Sequence, residues 1–256
     1  MSIFDREQAV DELKTDRLIQ VLPRFLDGTL PSESALWRKI RAAEKKMERE
    51  LRVFLEPVEV LPESATQADK DALDGTTPPT RWVQEPAYDY DPEYFRDNRW
   101  GLQETRHRPI IRVDEFVFAY PTTDQRIFNV PAAWIHFDPK YGIIRLVPTG
   151  VPFEAPFNAY ILSAIGGGRI IPHTIQIRYA AGLQNVADEH PDIYDLTMRF
   201  AVLSLIDDAY TPQSQSVAVD GLSQSFSVDT AKYRENFHKD LKRIRDSVHG
   251  IRAFAV

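Results

Sequence analysis

Ile175-Gln-Ile-Arg-Tyr-Ala-Ala-Gly182 closes a strand-like run that begins at Ile170, and Pro191-Asp-Ile-Tyr-Asp-Leu196 opens a helix a few residues later. The first segment alternates β-branched and polar residues and stops on a glycine, as strands do. The second places a proline and an acid at a helix start, where neither disrupts the backbone ladder. From 191 to 210 the residues Ile193, Leu196, Phe200, Val202, Leu203, Leu205 and Ile206 make a wide apolar face, expected at the centre of a small bundle. A polar loop at 214–227 follows, then a basic helix at 229–248. In it Tyr233, Phe237, Leu241, Ile244 and Val248 recur at helical steps, and Gly250 is placed to end it.

Upstream of this switch the chain reads as β-rich. Strand-like runs fall at 110–120, 127–130, 133–137 and 143–147, with Asp138-Pro-Lys-Tyr-Gly142 as a hairpin turn. An apolar run at 153–165 ends in Gly166-Gly-Gly168. Residues 56–98 change character: prolines recur, acids outnumber bases and only a brief helix at 65–73 is suggested. This tract is expected to be an extended arm anchored by Trp82, Tyr88, Tyr90, Tyr94, Phe95 and Trp100. Before it, residues 5–22 read as a first helix, with Ser32 or Ser34 as the cap of a second at 35–55. Leu36, Ile40, Ala43, Met47, Leu51 and Phe54 form that helix's single apolar stripe. The fold class is therefore α+β: a small helical bundle of N-terminal and C-terminal helices with a large β-rich insertion. The expected division is 1–56 with 171–256 as the helical core, and 57–170 as the inserted arm and β-rich domain.

With 256 residues, 43% hydrophobic and 27% charged, the composition is that of an ordinary globular chain. No apolar run is long enough to span a bilayer, and the first residues lack the basic start and apolar stretch of a signal peptide. The absence of cysteine excludes disulfides and thiolate metal sites. A net charge of −7 disfavours whole-surface nucleic-acid binding while leaving room for a local basic face.

Few residues suggest chemistry. The glycine triplet lacks the Lys-Ser/Thr and helix start that a phosphate cradle needs; Arg169-Ile-Ile-Pro172 follows, and a turn between β segments accounts for it. Six histidines (His107, His136, His173, His190, His238, His249) have no metal-binding spacing. Asp89, Asp91 and Glu93 lack the glycine turn and distant glutamate of a calcium loop, so an arm packing its aromatics on a neighbour is the expectation. Residues 31–55 and 229–252 each carry seven bases and four acids. Solvated helix faces, with pairs such as Glu44–Glu48 among lysines, explain them; a basic surface facing DNA or an acidic partner is the sharper reading.

The order of these segments resembles the head–tail connector (adaptor, head completion) proteins of tailed bacteriophages. The likeness rests on Ile40-Arg-Ala-Ala-Glu44, Pro191-Asp-Ile-Tyr-Asp-Leu196 with its apolar helix, and the loop Val219-Asp-Gly-Leu-Ser-Gln-Ser225 before a last helix. It covers 31–55 and 171–250, and the roughly 115-residue insert between them departs from small family members. The resemblance implies a non-enzymatic virion protein of the neck, made in the host bacterial cytoplasm and without cofactors or membrane contact. It implies a homo-oligomeric, dodecameric ring between the portal protein and a tail or tail-terminator protein, through which double-stranded DNA passes without sequence recognition. Asp220, Gly221, Leu222, Ser223 and Phe226 are then the portal-docking candidates. Arg38, Lys45, Lys46, Arg49, Lys239, Lys242, Arg243 and Arg245 are the basic residues for the DNA channel or a subunit interface. Two other readings compete: a tail terminator or capsid decoration protein built around the β-rich part, and a metal-dependent hydrolase assembled from His136, His173 and the acidic arm.

Overall fold

The computed structural model describes residues 2–16, 19–20, 31–95, 100–121, 125–148, 168–209 and 230–249. Two helices come first, α1 (Arg6–Thr15) and α2 (Glu33–Leu51). Next are β1 (Val58–Pro62), α3 (Gln67–Asp74), β2 (Trp82–Glu85), β3 (Tyr88–Tyr90), β4 (Gln103–Glu104) and β5 (Ile110–Ala119). These lead to β6 (Arg126–Asn129), β7 (Ile135–Asp138), β8 (Ile143–Leu146) and β9 (Ile171–Ala181). The helices α4 (Val186–Glu189), α5 (Pro191–Ala209) and α6 (Thr230–His249) complete the described chain. The fold is α+β. The chain divides into a sheet unit, Val53–Gln184, and a helical unit made of Ser2–Arg52 and Asn185–Val256.

In the helical unit, α1 starts where the Asp5 carboxylate accepts the Gln8 amide at 3.0 Å, satisfying one of the free donors of the first turn. Helix α2 buries Leu36, Ile40, Ala43, Met47 and Leu51, the stripe read from the sequence. It ends four residues before the expected boundary, because Arg52 turns into the left-handed region at φ 55. Phe54 thus leaves the stripe and packs in the sheet unit instead. His249, the last residue of α6, hydrogen-bonds through Nε2 to the Leu51 carbonyl at 2.5 Å, covering one of the acceptors freed at the end of α2. Phe4, Val10, Leu13, Ile40 and Ala43 share one core with Ala201, Val202, Leu205 and Ile206 of α5. Each large side chain buried there contributes about 1.5–3 kcal/mol.

In the sheet unit, β9 is the spine. One edge pairs antiparallel with β5 along its length, and the other pairs with β3 at Ile171 and Ile175 and with β1 at Tyr179–Ala181. The strand order is β2-β1-β9-β5-β6, with β1 and β2 parallel and joined through α3. Thr66 starts α3 with a reciprocal capping box to Asp69. The smaller sheet, β4-β8-β7, contains the expected hairpin, with the Gly142 amide closing its turn on the Asp138 carbonyl at 3.0 Å. The core gathers Val60, Tyr88, Ile110, Phe116, Trp134, Ile144, Ile175, Ile177 and Tyr179.

Two expectations change here. The tract at 56–98 is largely built into the sheet: it supplies β1, α3, β2 and β3, and Tyr88, Tyr90 and Phe95 turn into this unit's own core. The run at 171–181, placed with the helical core by sequence, is the central strand of the sheet unit. Its physical reason is the backbone ladder, which gives β9 partners on both edges. Residues 153–165 lie outside the described residues.

Candidate functional site

The Pro191-Asp-Ile-Tyr start of α5 has a structural task. Ile193 is buried, its amide donates to the His190 carbonyl at 3.0 Å, and the Tyr194 hydroxyl donates to Glu12 of α1 at 3.0 Å. The Tyr194 ring lies 4.6 Å from Phe4, and partial burial beside Glu12 pushes its phenol up to about 12. Glu44, the acid ending the Ile40-Arg-Ala-Ala motif, is not on a solvated face. It is fully buried and accepts from Arg41 at 2.5 Å, from the Ser2 hydroxyl at 3.0 Å and from the Ile3 amide at 3.2 Å. Sequence reasoning missed this role, since its partners at positions 2 and 3 are far from it along the chain.

The basic residues fall into two kinds. On α2, Lys45 pairs with Glu48 at 2.9 Å, Arg49 donates to the Lys45 carbonyl at 3.3 Å, and the Lys46 ammonium sits 4.3 Å from the Phe200 ring centre. On α6, Lys239 pairs with Glu235 at 2.7 Å and holds that carboxyl below its ordinary range. Lys242, Arg243 and Arg245 are exposed, as is Arg38 on α2, and none of these four has an ion pair among the described residues. From 239 to 246 the helix carries four bases, Lys239, Lys242, Arg243 and Arg245, against Asp240 and Asp246, a net positive stretch on an otherwise acidic chain. Between α2, α5 and α6 lies a groove of about 230 Å³. Its floor includes Met47, Phe200 and Phe237, and Lys46, Arg234 and His238 stand at its rim.

The docking candidates Asp220, Gly221, Leu222, Ser223 and Phe226 lie outside the described residues. Two of the expected aromatic anchors face solvent in the sheet unit, Tyr94 at 42% and Trp100 at 48% exposure. Trp100 also adopts φ 52, a left-handed conformation uncommon for a bulky residue, while its carbonyl accepts the Leu146 amide at 2.7 Å. His136 is on β7 and His173 on β9, where the His173 backbone amide donates to Asp89 at 3.0 Å. Among the described residues no group of three or more histidines and carboxylates is arranged to hold a metal. No described helix is long and apolar enough to cross a membrane.

No protein-family model matches the chain, and no curated protein matches it. Two solved structures are similar to it over nearly the full length. A chain of the virion of a native gene transfer agent particle is 11% identical, with 95% of this chain and 94% of that one covered and a TM-score of 0.40. A chain from the neck of an empty gene transfer agent particle, computed with C6 symmetry, is 12% identical, with the same coverage and a TM-score of 0.39. Likenesses this loose decide nothing about the chain's role.

Proposed function

We propose that this chain is a structural protein of a tailed-phage neck, forming a ring between portal and tail through which double-stranded DNA passes. The supporting observation is that two of the separated segments carrying the connector resemblance, Ile40–Glu44 and the helix opened by Pro191, belong to one helical unit. Ile40 and Ala43 of the first motif share a core with Ala201, Val202, Leu205 and Ile206 of the helix opened by the second. A family scaffold interrupted by an insert has this property, whereas chance similarity of two short motifs does not require it.

Three surfaces then take roles. Residues 220–226 dock on the portal, with Leu222 and Phe226 as apolar anchors. Lys242, Arg243 and Arg245 face the DNA or a neighbouring subunit, and each charge is repeated around a closed ring. Tyr94 and Trp100 supply contact area to the next subunit, because aromatic residues are enriched at interfaces. Mixing the protein with the portal ring from the same source and weighing the products by mass photometry tests this. A single added mass equal to a closed set of subunits is expected. Absence of any association overturns the connector assignment. Leu222→Asp should weaken attachment without lowering Tm, and Trp100→Ala should reduce ring closure while leaving the monomer's stability within about 0.5 kcal/mol.

A further inference from the structure

Glu85, on the outer strand β2, is 4% exposed, and its Oε1 has no hydrogen-bond partner among the described residues. Its other oxygen, Oε2, accepts from the Tyr179 hydroxyl at 3.2 Å. The Tyr179 oxygen lies 3.5 Å from that of Tyr88, so the carboxyl heads a chain of two buried phenols. That chain holds a loop: the Arg106 amide donates to the Tyr88 hydroxyl at 3.0 Å and the His107 amide to the Tyr179 hydroxyl at 3.3 Å. The attachment thus joins β2, β3 and β9 to the segment entering β5.

Burial and the groups facing Glu85 act in opposite senses: Tyr88, Arg106 and Tyr179 each favour the carboxylate, and burial outweighs them. Tyr88 of β3 and Tyr179 of β9 are neutral phenols held far above their ordinary range, first by burial. Opposite Glu85 on β1 stands Pro62, which carries no charge. The Arg106 guanidinium is 3.7 Å from Oε2, but it is 40% exposed and donates to the Pro86 carbonyl at 2.5 Å and the Ala87 carbonyl at 3.3 Å. The His107 ring lies 4.7 Å from that of Phe54, and burial, then Arg106, lowers its pKa. Burial is also the leading influence on Glu85 itself, and it raises the carboxyl's pKa against the opposing hydrogen bonds and Arg106. A buried, unpartnered oxygen costs far less on a neutral acid than on a carboxylate.

We propose that Glu85 is a pH-sensitive lock: as the neutral acid it fastens the Arg106–His107 loop to the sheet, and on ionising it loosens that attachment. The lock uses residues of the sheet unit alone, so it stands or falls independently of the neck assignment. The sign follows from proton linkage. A group whose folded pKa is raised binds more protons folded than unfolded, so its stabilisation is complete below the unfolded pKa and is lost as pH rises through the folded one.

The test compares the full chain with Glu85→Gln, which keeps the volume and cannot ionise. Denaturant midpoints are measured from about pH 4 to pH 8, a range starting near the ordinary glutamate pKa. Alongside, hydrogen exchange is followed at the Arg106 and His107 amides. The midpoint of the variant relative to the native chain is expected to rise steadily with pH. The two amides should exchange progressively faster in the native chain than in the variant over the same range. A difference that stays flat, or one that reverses so that the native chain gains with pH, overturns the proposal; reversal would make Glu85 a carboxylate paired to Arg106. Should Glu85→Gln not fold, Arg106→Gln gives the same decision. A neutral acid predicts an unchanged or steeper loss of midpoint with rising pH, and a shallower one overturns the lock.

Discussion

Gly182, the last letter of Tyr-Ala-Ala-Gly, shows how much a single position can be required to do. Its φ is 126, and a Cβ built there would come within 2.3 Å of the Glu56 carbonyl oxygen. Its amide donates to the Pro109 carbonyl at 2.9 Å, so the backbone can neither rotate nor retreat without breaking that bond. Gly182→Ala therefore combines dihedral strain with a backbone clash, and denaturant unfolding should show a loss of roughly 2 kcal/mol or more. Glu44 makes the complementary point for a charge. Truncating it to alanine leaves the Ile3 amide without its acceptor and takes the carboxylate from Arg41, an ion pair only partly open to water. A loss of about 2–3 kcal/mol is expected by the same measurement. A value near zero would mean that water takes over both partners.

At the scale of elements, α6 and α2 divide the work suggested by their similar charge. Lys45 and Lys239 pair with neighbours on their own helices, while Lys242, Arg243 and Arg245 have no ion pair among the described residues. If the latter face DNA in the assembled ring, replacing all three by glutamine should lower the slope of log K against log salt for duplex binding. The drop should be about 2–3, as expected from three lost phosphate contacts per binding subunit. An unchanged slope assigns these residues to protein contacts instead. The helices were legible from sequence because their signal is local: the stripe from Leu36 to Leu51 needs only a spacing of three and four. The end of α2 was not, since only the left-handed turn at Arg52 separates Leu51 from an equally apolar Phe54. The strands of the tract at 56–98 were hidden for a different reason. β1 and β3 take their register from β9, with Val60 opposite Tyr179 and Tyr88 opposite Ile175, more than eighty residues along the chain. Prolines around them weaken the local strand pattern without preventing edge or short pairing. The cationic residues could be named from composition, but which of them are unpaired depends on packing and helix phase.

For the whole molecule, the course of the chain makes the sheet unit separable in a particular way. The Leu183 amide donates to the Phe54 carbonyl at 2.9 Å, so the chain enters and leaves that unit side by side. A short flexible linker from Arg52 to Asn185 can therefore replace Val53–Gln184 without stretching the ends it joins. Excising 56–170 instead, the boundary suggested by sequence, removes β1, β3 and β5 and leaves β9 behind. Ile175, Ile177 and Tyr179 would then lose the core that buries them, on a strand with two unpaired edges. The first deletion should give a soluble protein with a cooperative helical unfolding transition, held by the core that joins Ile40 to Val202 and Leu205. The second should aggregate. Circular dichroism and light scattering on the two products separate the cases. A helical unit that melts without cooperativity after the first deletion would show that it needs the sheet unit to fold, and the proposal of an interrupted connector scaffold would fail with it.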